Sequence, residues 1–232
     1  MRKTVVTMLA LSVFAASTAL AADAVRISQV FGGGGLAGSF NQDYVELFNS
    51  GATEVDLSGW AVEYSSSAST AVWGGTGSTW QTYYVFPSGA TIKPCSYVLV
   101  GGASVVGGTT LSPVPDYAVA SIGDMNMSGT NGRVGLFNAF YAGAGCGVET
   151  NLVDKVAYGA ALCPEGAAAA PVLSTILANF RSNGGMDDTD ENSLDFATGT
   201  PAPRNSSSAR EPTCLDTPTI PTTWGQLKKM YR

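Results

Sequence analysis

The 232-residue chain contains no histidine. Ser-His-Asp and Cys-His catalysis and histidine-ligated zinc are therefore excluded by composition. The chemistry that remains rests on carboxylates, cysteines and aromatic rings. The densest group is Asp187-Asp188-Thr189-Asp190-Glu191-Asn192, since several oxygen ligands in one flexible loop are what Ca²⁺ requires. An EF-type loop would add a central Gly and a Glu at its last position, and neither falls in place. The plainer reading is a solvated turn in which Asp190 or Asn192 caps the last strand. Ca²⁺, held by Asp187, Asp188, Asp190, Glu191 and Asn192, is the one cofactor the residues leave open. Glu46 and Asp56 form a further carboxylate pair of the kind glycoside hydrolysis uses. Trp73, Trp80, Tyr83 and Tyr84 lie in or beside a Ser/Gly-rich stretch. Exposed rings there would stack on a sugar or anchor a partner, and packing at the core edge is the competing reading.

Gly33, Gly35 and Gly38 fit G-x-G-x-x-G, but a dinucleotide site needs a helix to open at that point. Ser39-Phe40-Asn41-Gln42 and a second strand pattern stand there instead, so the glycines read as an inter-strand loop.

The N-terminus carries Arg2 and Lys3, a largely apolar run over 5–16 and Ala19-Leu20-Ala21. That is the pattern of a secretory signal over residues 1–21, too short to span a bilayer; no other segment is apolar enough to do so. Removing Arg2 and Lys3 from twelve basic residues leaves ten against eighteen acidic ones, a net charge near −8. Nucleic-acid binding depends on Lys and Arg neutralising phosphates, so direct binding of DNA or RNA is not expected. Cys95, Cys146, Cys163 and Cys214 are an even set in an exported chain, which implies two disulfides with three pairings open. Cys146–Cys163, in loops flanking the strand pattern of residues 153–158, with Cys95–Cys214 by elimination, is the favoured arrangement.

These groups must be positioned by strands. Only 13% of residues are charged and Gly numbers 28, as suits short strands joined by small-residue loops. Strand patterns occur at 25–31, 44–49, 55–57, 60–64, 81–86, 97–100, 133–138 and 152–158, punctuated by turn signals such as Asn49-Ser50-Gly51. In the second of them Val45 and Leu47 share one face, and Tyr44, Glu46 and Phe48 the other. Residues 167–170 and 172–180 suggest a short helical turn. From Arg204 the composition turns to Asn, Ser, Pro and Thr. A linker is expected over 208–222, then a helical tag over 223–232 that opens on the capping box Thr223…Gln226.

Asp43-Tyr44-Val45-Glu46-Leu47-Phe48-Asn49 followed by Val55-Asp56-Leu57-Ser58-Gly59-Trp60 resembles the signature of lamin-tail domains. The order of later segments fits as well: Ile92-Lys93-Pro94 before Tyr97-Val98-Leu99-Val100, Gly132-Arg133-Val134-Gly135-Leu136-Phe137 before Val153-Asp154-Lys155-Val156-Ala157-Tyr158, and a closing Thr200-Pro201-Ala202-Pro203-Arg204-Asn205. VRISQVFGGGG and DTDENSLDF are similar to segments of the modules that precede endonuclease/exonuclease/phosphatase domains in bacterial extracellular nucleases. The resemblance implies an all-β, immunoglobulin-like antiparallel sandwich over 22–207 with long loops, and places Glu46 and Asp56 near strand ends, accepting turn N–H groups. It implies no catalytic residue in this half of such proteins. The function expected is an exported, non-catalytic module that binds protein, glycan or a cell-envelope component. The alternative is a Ca²⁺-dependent secreted hydrolase using loop carboxylates.

Overall fold

The computed structural model describes residues 24–68, 71–75, 82–119, 124–144 and 146–215. The expected signal segment, Trp80, residues 216–222 of the expected linker and the tag at 223–232 lie outside the described residues. Twelve strands are formed by the described residues: β1 (Val25–Phe31), β2 (Tyr44–Asn49), β3 (Val55–Asp56), β4 (Ala61–Ser65), β5 (Tyr83–Val85), β6 (Thr91–Ile92), β7 (Tyr97–Gly101), β8 (Tyr117–Ala118), β9 (Gly132–Phe137), β10 (Leu152–Tyr158), β11 (Ala178–Arg181) and β12 (Phe196–Gly199). One sheet runs β12-β11-β1-β2-β7-β8, a second β10-β9-β4-β5, and β3 with β6 forms a separate ribbon. All pairs are antiparallel except β7–β8, which is parallel; that pair departs from the purely antiparallel expectation.

The two sheets face each other across one core because their strands alternate. Ile27, Val30, Val45, Leu47, Val98 and Val100 from the first sheet meet Val62, Tyr64, Val134, Leu136, Val156 and Tyr158 from the second. Burying each such side chain is worth about 1.5–3 kcal/mol, and Leu47→Ala, at a fully buried site, would cost about 2–5 kcal/mol. A register shift between Ile27 and Gln29 in the β1–β2 pairing keeps Ile27 and Val30 in this core while Ser28 and Gln29 reach the opposite side.

Both faces of β2 are buried. The outer face of the large sheet is covered by the chain after β12. Ala202 exchanges hydrogen bonds with the Gln29 side chain, the Glu211 N–H donates to the Cys95 carbonyl, and Cys214 is disulfide-bonded to Cys95 with Cα atoms 5.6 Å apart. The stretch expected as a linker from residue 208 is therefore held on the sandwich as far as Cys214. Cys146 is joined to Cys163. The helical turn expected over 172–180 is instead a tight turn bridging Ser174 and Leu177 that leads into β11. Pairing with β1 supplies backbone hydrogen bonds there that a lone helical turn would lack. Leu152–Tyr158 is an edge strand, and its free side is capped: the Asn192 Oδ1 accepts the Ala157 N–H, its Nδ2 donates to the Lys155 carbonyl, and Ala170 donates to the Ala157 carbonyl. Such a cap blocks edge-to-edge pairing.

Candidate functional site

The acidic stretch folds around an arginine that the sequence pattern does not single out. Arg181, fully buried on β11, donates from Nη2 to both oxygens of Asp154 on β10 at 2.8 and 2.7 Å. From Nη1 it reaches Asp188 at 2.9 Å and Asp195 at 3.4 Å, and its Nε donates to the Ile27 carbonyl. Asp154 also accepts the Ile27 N–H at 2.6 Å. Asp154, Glu165 and Asp188 each place an oxygen within 4.8 Å of the others, and the guanidinium already binds two of the three, Asp154 and Asp188. It ties β1, β10 and β11 together with charge-assisted bonds. The Glu165 carboxyl is pushed up to about 8, first by burial and then by the charges of Asp154 and Asp188.

The residues proposed as Ca²⁺ ligands are dispersed. Only Asp188 brings its carboxylate to this centre, where Arg26 also approaches it at 3.6 Å, while Asp187 offers Arg181 its carbonyl at 3.3 Å. Asp187 accepts from Asn183. Glu191 accepts the N–H groups of Ala167 and Ala168, bonds that draw its carboxyl down to about 2. Asn192 caps the β10 edge as described. Asp190, at φ 54°, makes no side-chain hydrogen bond among the described residues.

Glu46 and Asp56 are also separate. Asp56 accepts the Ser58 N–H in a turn, as the resemblance implied. Glu46 instead sits mid-strand on β2, fully buried, and accepts Arg204 N–H at 2.6 Å, Arg204 Nη2 at 2.7 Å and Ser28 Oγ at 2.6 Å. The strap after β12 delivers Arg204 to it, and Arg204 lies 3.7 Å from the Tyr97 ring centroid. A carboxylate so saturated is a fastener and is not poised to exchange protons with a substrate.

The aromatic group splits too. Trp73 is fully buried, packed edge-on to Phe137 at 5.4 Å under Arg133, with its indole N–H on Glu149. Tyr83 and Tyr84 alternate across β5: Tyr83 contacts Phe140 at 4.6 Å, and Tyr84 packs with Phe86 and Tyr117 against the main core.

An uncharged open pocket lies elsewhere. At the end of the sandwich where β1 finishes and β2 starts, a pocket of about 430 Å³ is lined by Phe31, Ser39, Phe40, Thr109, Ile176 and Thr200 among others. The loop before β2 and the loop after β7 are zipped together: Asn41 N–H donates to the Thr109 carbonyl and Thr109 N–H to the Ser39 carbonyl, each at 2.7 Å. Gly34 passes so close that a Cβ would lie 2.2 Å from the Gln42 carbonyl carbon, which requires glycine there. Asp43 anchors the loop base by accepting the N–H groups of Gly34 and Met127 at 2.7 Å, and burial pushes its carboxyl up to about 7. Phe40 packs edge-on to Phe31 at 6.1 Å and to Tyr44 at 6.3 Å. Leu36, Val106 and Ile176, all exposed, stand on loops at the same end.

Residues 18–160 match the family model for the lamin tail domain. The chain belongs to the lamin tail domain family. Its fold is also similar to that of a DUF4876 family protein from Bacteroides thetaiotaomicron, at 13% identity and a TM-score of 0.55, over 81% of this chain and 74% of that one. At that identity the likeness is one of fold. No curated protein matches the chain.

The matched segment of this lamin tail domain stops just after β10, yet β11 is hydrogen-bonded beside β1 and carries Arg181. Residues beyond 160 thus complete the large sheet and its outer cover. Single signals for the pocket were weak: Phe40 stands between Ser39 and Asn41, Ile176 sits in a stretch without strand alternation, and the pairing of β1 with both β2 and β11 brings them to one end.

Proposed function

We propose that this lamin tail domain is an exported, non-catalytic interaction module that binds at the cell surface or in the extracellular space, using the loop end that carries the pocket. One observation carries the reading: the buried acid clusters around Arg181 and Arg204 are internally bonded, whereas the loop end presents an uncharged pocket beside exposed Leu36, Val106 and Ile176. Exposed apolar side chains grouped on one end are characteristic of recognition surfaces. Export is supported by the signal-like residues 1–21 and by two disulfides, which persist in oxidising compartments. A partner in the envelope, protein or glycan, fits the negative net charge better than a polyanion does.

The test is a pull-down of the oxidised mature chain with cell-envelope fractions, comparing wild type with Ile176→Glu and Val106→Glu. Both positions are solvent-exposed, so the fold should survive and capture should fall. Nuclease, phosphatase and glycosidase assays with and without Ca²⁺ should read as blank. Turnover that disappears in Asp188→Ala would replace this reading with a hydrolase.

A further inference from the structure

We infer that the loop-end pocket is a subsite for a neutral pyranose ring, a deepening that rests on the interaction-module reading above. The lining decides between classes of ligand. Its walls are apolar, with Phe40 half-buried and accessible, Phe31 beneath it and Ile176 at the mouth. No lining residue is charged, so neither an anion nor a cation finds an ionic partner there.

Four hydroxyls edge the pocket, and their hydrogen-bond states differ. Ser39 Oγ donates to the Gly33 carbonyl at 2.5 Å, and Thr109 Oγ1 to the Ser39 carbonyl at 3.1 Å. Those two have used their protons and offer lone pairs only. Thr175 and Thr200 also line the pocket, and their hydroxyls make no hydrogen bond among the described residues. The edge therefore offers lone pairs at all four hydroxyls and free O–H donors at Thr175 and Thr200, and asks for a ligand bearing both donors and acceptors. A purely aliphatic or aromatic side chain would cover these oxygens without satisfying them, a cost that falls on each buried group. A sugar ring meets both demands, with a C–H face for the apolar wall and hydroxyls for the edge. The volume of about 430 Å³ lies within the usual range for small-ligand sites, roughly 300–1,000 Å³.

The experiment is affinity electrophoresis of the oxidised mature chain through native gels containing dextran, mannan, galactan or soluble β-glucan, beside a pull-down with cell-envelope fractions. At least one neutral polysaccharide should retard the wild type, equally at low and high salt. Phe40→Ala should weaken retention by about fivefold or more, as expected for loss of one ring contact. Thr175→Val and Ile176→Glu should weaken it with unchanged melting temperature, so that loss of binding is not loss of fold. Retention that survives Phe40→Ala and Ile176→Glu, or that collapses in salt, overturns the inference. Envelope capture without retention by any neutral polysaccharide also overturns it, while the module reading stands with a protein partner. Absence of both removes the module reading itself.

Discussion

Each outer face of the sandwich holds one buried glutamate beside one arginine, with opposite results. On the large sheet, Glu46 and Arg204 are paired side chain to side chain at 2.7 Å, and the strap that brings Arg204 is latched by Cys95–Cys214. On the small sheet, Arg133 is held by Ser65 Oγ and the carbonyls of Ser66 and Ala68 and lies 5.3 Å from the Trp73 ring centroid. Glu63 there accepts only the Tyr141 N–H, at 2.7 Å, and its Oε2 has no partner among the described residues. Burial pushes the Glu63 carboxyl up to about 7 against that single hydrogen bond. Burial raises both carboxyls, but only Glu46 has an arginine working against that burial, so equal residue types give a paired glutamate on one face and an unpaired one on the other.

The largest effect expected is from Arg204→Met, which strands the Glu46 carboxylate in a site with no exposure. Denaturant unfolding at neutral pH should show a loss of about 3–5 kcal/mol, and adding Glu46→Gln should recover much of it. A loss no greater than that of a surface substitution would mean that the strap is dispensable.

Opening the latch comes next. Cys95→Ser with Cys214→Ser should lower stability by about 2–4 kcal/mol, and by more than the Cys146→Ser, Cys163→Ser pair. The first bridge closes 119 residues and the second 17, and chain entropy favours the longer loop. The reverse ranking would show that the small-sheet face depends more on its disulfide.

The third test addresses Glu63 by pH. Its folded pKa of about 7 lies above the ordinary 4.5, so the folded state binds the proton more tightly than the unfolded one. Its contribution is fully present below pH 4.5 and is lost as pH rises through about 7. Asp43, Glu46, Asp154 and Glu165, also raised, act in the same direction, so the readout is the difference between wild type and Glu63→Gln. Melting temperatures should coincide near pH 4.5, separate between pH 4.5 and 7 and stay apart above that, with the variant the more stable. Parallel curves would show that Glu63 titrates normally.

The smallest effect expected is at Asp190. At φ 54°, Asp190→Gly should be neutral or stabilising by under about 1 kcal/mol, whether or not Ca²⁺ is added. A Ca²⁺-dependent loss in thermal unfolding would return the acidic loop to the role of a metal site.

Several of these features were readable in advance. Tyr44, Glu46 and Phe48 do share a face opposite Val45 and Leu47, because strand alternation is local geometry. Asp56 serves its turn, since Ser58 is two residues away. Arg181 and Asp154 escaped notice because their partnership spans 27 residues of sequence and leaves no spacing signature. The helical reading of 172–180 failed for a related reason: β11 exists through its pairing with β1, whose register partners lie about 150 residues away. The Ser/Gly surroundings of Trp73 left stacking and packing both open, and it packs because Gly135 leaves space beneath it, where a Cβ would lie 3.3 Å from its ring.

Local patterning alone settled that this chain is built of short strands and tight turns, and the resemblance to lamin tail domains supplied the sandwich. Alternating apolar residues, glycine turns and the lack of histidine act within a few residues of one another, and so does the arithmetic of charge. Tertiary structure decided which charges are fasteners, which aromatic ring is core and where an open pocket remains. Those outcomes depend on distances between residues far apart in the chain, and hydrogen-bond energies are governed by that proximity rather than by sequence neighbours.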